Sequence, residues 1–109
     1  TDKSFEEFQT MEMGIRAGFK LLKNYITGYG GKVRPYNTIE KIVRRWAPPT
    51  ENATQRYIDF VAKDSGINAT QIIKFTDRST MVKIVDAMIF VECGQRVSRD
   101  TIQSAYDLL

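Results

Sequence analysis

The chain contains no histidine. That absence removes imidazole acid/base catalysis, Ser–His and Cys–His nucleophilic pairs, and every His-containing zinc site. A single cysteine, Cys93, excludes an internal disulfide framework and a thiolate metal cluster. No metal and no cofactor are therefore expected. Long hydrophobic runs are missing as well: no stretch reaches the about 18 apolar residues of a membrane span, and nothing at the start reads as a signal peptide. A soluble chain is the expectation, with any export left to another mechanism or to a segment upstream. The groups left to exchange protons in catalysis near neutral pH are carboxylates.

What is present fits one ordinary globular domain over residues 1–109. The 109 residues are 42% hydrophobic and 27% charged, enough for one core and too few for two. The net charge is +3 and unevenly placed. Residues 1–63 hold 11 Lys or Arg against 7 Asp or Glu, and residues 64–109 hold 5 against 6. A basic front half suits an anionic polymer such as nucleic acid or peptidoglycan, although a charged face is commonly just a solvated one.

Apolar spacing predicts helices along most of the chain. Residues 1–10 are too irregular for that reading and suggest a short edge strand or an extended lead-in whose Phe5 and Phe8 pack on the next segment of chain. Ile15, Phe19, Leu22 and Ile26 form one helical face, with Gly14 and Gly18 permitting a close crossing and "GYGG" at 28–31 ending the helix. Asn37 has the form of an N-cap, with Glu40 three residues on, ahead of Ile39, Ile42, Val43 and Trp46. Pro48 and Pro49 stop that helix. Asn52 is expected to cap the next, with Tyr57, Ile58 and Val61 facing inward and Gly66 ending it. "NATQ" recurs at 68–71 and is read as the same cap opening a short helix through Ile72, Ile73 and Phe75. Residues 80–93, whose only charges are Lys83, Asp86 and Glu92, have the pattern of a central buried helix closed by Gly94. Ser98 caps a last helix carrying Ile102, Ala105, Tyr106 and Leu109. About six helices make the expected fold all-α.

The segment "RWAPPTENATQRY" at 45–57 concentrates polar and aromatic groups in one turn. Local physics explains it as a proline-stopped helix followed by a capped one, with Glu51 favoured near a helix N-terminus. The same residues would also make a sugar-binding rim, with Trp46 and Tyr57 as stacking walls and Glu51, Asn52 and Thr54 as polar guides. Glu40 and Asp59 are weaker carboxylate candidates, explained by a cap and an exposed helix face.

About half of the chain resembles the lysozyme-like virion proteins of bacteriophages and prophages. The resemblance rests on Asp2, Phe5, Phe8, Gly14, Arg16, Ala17, Tyr25, Ile42 or Val43, Trp46, Ala47, Pro48, Glu51, Asn52, Thr54 and Tyr57. "RWAPPTEN" with Tyr57 is its most specific part. It implies a lysozyme-like helical domain directed at peptidoglycan glycan strands, located in the virion or in the bacterial cytoplasm before release and acting at the cell wall. It also implies other virion proteins as neighbours, and glycoside hydrolase or lytic transglycosylase activity where the site is complete. In such hydrolysis a carboxylic acid protonates the leaving oxygen. Glu51 lies inside the matched motif, but its place at a helix N-terminus suits a positioning or electrostatic role. The family's Asn-rich segment and its main catalytic acid are expected upstream of Thr1.

A second resemblance concerns residues 61–75, "VAKDSGINATQIIKF", which are similar to a helix-turn-helix of phage-repressor type. Ala62, Gly66, Ile67 and Ile72 would occupy its packing and turn positions, with Asn68, Thr70 and Gln71 on a recognition helix able to read base edges. Only Lys74 lies on that helix, and the surrounding half has no basic excess to hold phosphates, which disfavours nucleic acid as the partner.

Overall fold

The computed structural model describes residues 11–46 and 50–109. They form five helices: α1 (Met11–Gly31), α2 (Ile39–Trp46), α3 (Glu51–Ser65), α4 (Arg78–Cys93) and α5 (Arg99–Asp107). The all-α expectation holds, with five helices instead of about six and no strand among the described residues. The lead-in with Phe5 and Phe8, and the stop at Ala47, Pro48 and Pro49, lie outside the described residues.

α4 is the central element and packs against α1, α3 and α5. Its Met81, Val82, Ile84, Val85, Ala87, Met88 and Ile89 are all buried, as its nearly unbroken apolar sequence requires. α1 presents Ile15, Phe19, Leu22 and Ile26 to the core, and Phe19 meets Tyr106 of α5 edge to face at 5.3 Å. α3 contributes Tyr57, Ile58 and Val61, while Phe60 stacks on Phe90 of α4 at 5.6 Å. The ends follow the glycines: Gly66 and Gly94 take left-handed φ of 73° and 72°. At the end of α1, Gly28, Tyr29 and Gly30 are all left-handed, and a Cβ at Gly28 would collide with the Val33 carbonyl. The chain there folds back tightly, with Lys32 and Val33 N–H groups donating to the Gly28 carbonyl at 2.9 and 3.0 Å.

Three expectations about local structure are corrected. Thr38, and not Asn37, caps α2: its Oγ1 accepts from the Lys41 N–H at 3.1 Å, leaving the Asn37 carbonyl to accept from Ile73 at 3.0 Å. Thr50, and not Asn52, caps α3, accepting from the Ala53 N–H at 3.2 Å. In both cases a threonine competent to cap stands within two residues of the expected asparagine, and at Asn37 a tertiary contact takes the carbonyl. The third correction is larger. Residues 68–75 form no helix, because Asn68 Oδ1 accepts from both the N–H and the hydroxyl of Thr70 at 3.0 Å and closes a local turn that competes with helix propagation.

This segment runs as a strap across the start of α2. Ile73 donates to the Asn37 carbonyl, and the Ala69 carbonyl accepts from the Glu40 N–H at 3.0 Å. The helix-turn-helix reading loses its recognition helix. Asp77 then caps α4 through Thr80. Ser98 stands at the N-cap of α5 but makes no side-chain capping bond.

Candidate functional site around Trp46, Tyr57 and Glu92

α2 buries Ile39, Ile42 and Val43, and the same stripe carries Trp46 to the helix end, where it is half-buried. Its indole N–H reaches across 46 positions of sequence to donate to Glu92 Oε2 at 3.2 Å. Glu92 is half-buried in the last turn of α4. Tyr57, on α3, is only 5% exposed, and its hydroxyl is buried with no partner in hydrogen-bond geometry. Burial, and next the negative charge of Glu92, push the phenol well above its ordinary range. Tyr57 therefore stays a neutral O–H beside a carboxylate.

Two cavities flank this cluster. One, of about 310 Å³, opens between α3 and α4 and is lined by Ala53, Arg56, Tyr57, Phe60 and Val91. The other lies beneath Trp46 against Gly18, Leu22, Val85 and Met88 and measures about 10 Å³, room for one water at most. The inner side of the indole is thus a packing surface.

The remaining residues singled out in the sequence lie elsewhere. Glu51 is exposed, and both its oxygens accept from Arg44 Nη1 at 3.1 Å. Such an exposed pair contributes little stability. Asn52 is exposed beside it. Thr54 is buried, its hydroxyl donating to the Thr50 carbonyl at 2.9 Å. Asp59 accepts from Gln55 at 2.9 Å, and Glu40 lies 4.0 Å from Arg44. Trp46 and Tyr57 thus converge on Glu92, whereas Glu51 and Asn52 sit at the exposed start of α3.

Glu92 was not singled out by sequence reasoning. The available signal was its charge within a helix otherwise apolar nearly all round. Asp86 on the same helix gives the same signal for a different reason: it is buried and bound by Arg99 Nη2 at 2.8 Å and Arg96 Nη1 at 3.4 Å. Among the described residues no group of three or more Cys, Asp or Glu side chains gathers to hold a metal ion.

No known family profile matches the chain, and no solved structure matches it. It is 40% identical over 107 residues to Protein P5 of Pseudoalteromonas phage PM2, an alignment covering 97% of this chain and 62% of that protein. The chain thus spans about three fifths of the length of the relative it matches. Among the described residues no helix is long and apolar enough to cross a membrane. The chain is a homologue of a phage protein.

Proposed function

We propose that this phage-type protein engages the glycan strands of bacterial peptidoglycan and that Glu92, held by Trp46 beside Tyr57, and not a carboxyl upstream of Thr1 as the resemblance implies, is the acid of a lysozyme-like or transglycosylase-like cleavage. The reading rests on one observation. The two aromatic residues of the segment that resembles lysozyme-like virion proteins come together at a carboxylate distant in sequence, next to an open cavity between α3 and α4. Glycan cleavage needs a carboxyl that hands a proton to the leaving oxygen, and Glu92 is a half-buried carboxyl held in place by an indole N–H. The Trp46 N–H fixes one oxygen of Glu92, and the neutral Tyr57 hydroxyl stands as a second polar group at the same place. Glu51 has a different part. Both its oxygens are engaged by Arg44, which suits it to positioning, with Asn52 and Thr50 around it at the rim.

Release of soluble muropeptides from purified sacculi tests the proposal. Glu92→Gln keeps the shape of the side chain and removes the acid, so release should fall by about 10²-fold or more. Glu51→Gln should leave most of the release intact. Binding to sacculi with no release by the unsubstituted protein would make the protein a wall-binding module. Neither binding nor release would end the peptidoglycan reading.

A further inference from the structure

The described residues divide sharply in charge. Residues 11–46 hold eight Lys or Arg against two Asp or Glu, and residues 50–109 hold seven against eight. Of the first group, Lys32 and Arg34 project from the loop between α1 and α2, and Lys41 and Arg45 from α2 itself. All four are exposed, and none forms an ion pair with a described acid.

Their spacing is fixed by the fold. The Tyr36 N–H donates to the Tyr25 carbonyl at 2.8 Å, and the Lys32 and Val33 N–H groups are bound to Gly28. Tyr25, 4% exposed, carries the rings of Tyr29 and Tyr36 at 6.3 and 5.8 Å, and the Arg45 guanidinium lies 5.7 Å from its ring centre. Arg34, Pro35, Tyr36 and Lys41 border a cavity of about 240 Å³. The backbone that carries these cations is thus pre-ordered, and Arg45 is held against a ring, so less freedom is lost when an anionic partner docks than on a loose loop.

Building on the peptidoglycan reading, we infer that the α1–α2 corner is a second contact surface for the same polymer, one that binds the carboxylates of its peptide stems while the Trp46 end of α2 faces the glycan. Continuity favours this occupant, because Lys41 and Arg45 share one eight-residue helix with Trp46 and Lys32 and Arg34 lie on the loop that leads into it. A single-stranded nucleic acid would require successive open ring faces for base stacking. Here Tyr25 is buried and Tyr36 is half-buried against it, which leaves Tyr29 as the one exposed ring of the three.

The test is co-sedimentation with intact sacculi and with sacculi whose stem carboxylates have been converted to amides by carbodiimide and ammonia, across a salt series. The combined variant Lys32→Glu, Arg34→Glu, Lys41→Glu should bind intact sacculi about tenfold more weakly at low salt and lose most of the salt dependence. On the amidated sacculi the variant and the unsubstituted protein should bind alike. Should circular dichroism show lost helicity, the Gln series at the same three positions replaces it. Equal retention of variant and unsubstituted protein on intact sacculi overturns this inference and leaves the peptidoglycan reading standing. Failure of the unsubstituted protein to bind either material removes both. Tighter binding to a single-stranded oligonucleotide than to sacculi, lost in the variant, reassigns the surface to nucleic acid and overturns the inference.

Discussion

Residues 11–46 and residues 50–109 are held together by different means. In the second region, charged side chains close on one another at helix ends. Arg78 at the start of α4 grips Asp107 at the end of α5 with bonds of 2.8 and 2.7 Å. Arg96, between α4 and α5, binds Asp64 at the end of α3 at 2.9 and 2.7 Å and also reaches Asp86, which Arg99 shares. In the first region the ties are aromatic rings, a left-handed corner and backbone hydrogen bonds, and most of its cations face solvent. Charge satisfied internally is unavailable to a partner. The exposed cations on the α1–α2 side that pair with no described acid, Lys32, Arg34, Lys41 and Arg45, are the ones on which the inferred contact surface rests.

The comparison can be broken most severely where the two regions share a core. Phe19→Ala removes the fully buried ring that joins α1 to Tyr106 and should cost about 3–5 kcal/mol in a urea or guanidinium titration. Gly28→Ala strikes the first region alone, forcing a Cβ onto the Val33 carbonyl at φ 65°. A loss of about 2 kcal/mol is expected, and it should appear as earlier hydrogen exchange in residues 25–36. Thr50→Ala, at the start of the second region, leaves the Ala53 N–H without its cap, which lowers unfolding free energy by about 1 kcal/mol.

Acid sharpens the contrast further. Hydrogen bonds from Arg96 hold the Asp64 carboxyl below its ordinary range, and those from Arg78 do the same for Asp107. A depressed folded-state pKa means that the folded protein binds fewer protons than the unfolded chain near pH 4. The associated stability is complete above the unfolded carboxyl value of about 3.9 and disappears as pH falls through the folded one. Melting temperature should therefore drop below about pH 4, and Asp64→Asn with Asp107→Asn should flatten the decline. An unchanged acid profile in that double variant would locate the sensitivity elsewhere and weaken the contrast.

The smallest effect concerns Tyr57→Phe. The hydroxyl removed has no partner in hydrogen-bond geometry, so stability should change by less than about 0.5 kcal/mol, or rise. A clear loss in the same titration would assign that hydroxyl a bond to Glu92 or Trp46.

Helical faces were legible in the sequence wherever spacing alone decided them: Ile15, Phe19, Leu22 and Ile26 on α1, Ile39, Ile42 and Val43 on α2, and Ile102 and Ala105 on α5 are all buried. "NATQ" shows where that legibility ends. At 52–55 the four residues lie within the first turns of α3, because Thr50 has already capped it. At 68–71 the identical residues make a turn, closed locally by Asn68 on Thr70 and favoured over a helix by the backbone bonds to Asn37 and Glu40. Four residues carry no record of partners thirty positions away. The cluster at Glu92 was out of reach for the same reason: Trp46 and Tyr57 belong to one motif, whereas the carboxylate arrives on α4 through packing. Asn52 and Glu51 fit their motif, but the nearest partner of Glu51 is Arg44 of the preceding helix.

The strap over α2 has a consequence for how this chain tolerates change. Its attachments at Ile73 and Ala69 run through main-chain atoms, which every amino acid except proline supplies in full, and one of its side chains, Ile72, is 69% exposed. Ile73, buried in the core, and Asn68, whose side chain closes the turn, are constrained in kind, whereas spelling at Gln71 and Ile72 is loose and the length of the strap is not. A residue inserted between Asn68 and Ile73 would shift both attachments out of step, whereas a reporter group at position 72 would ride on the surface with α2 left in place.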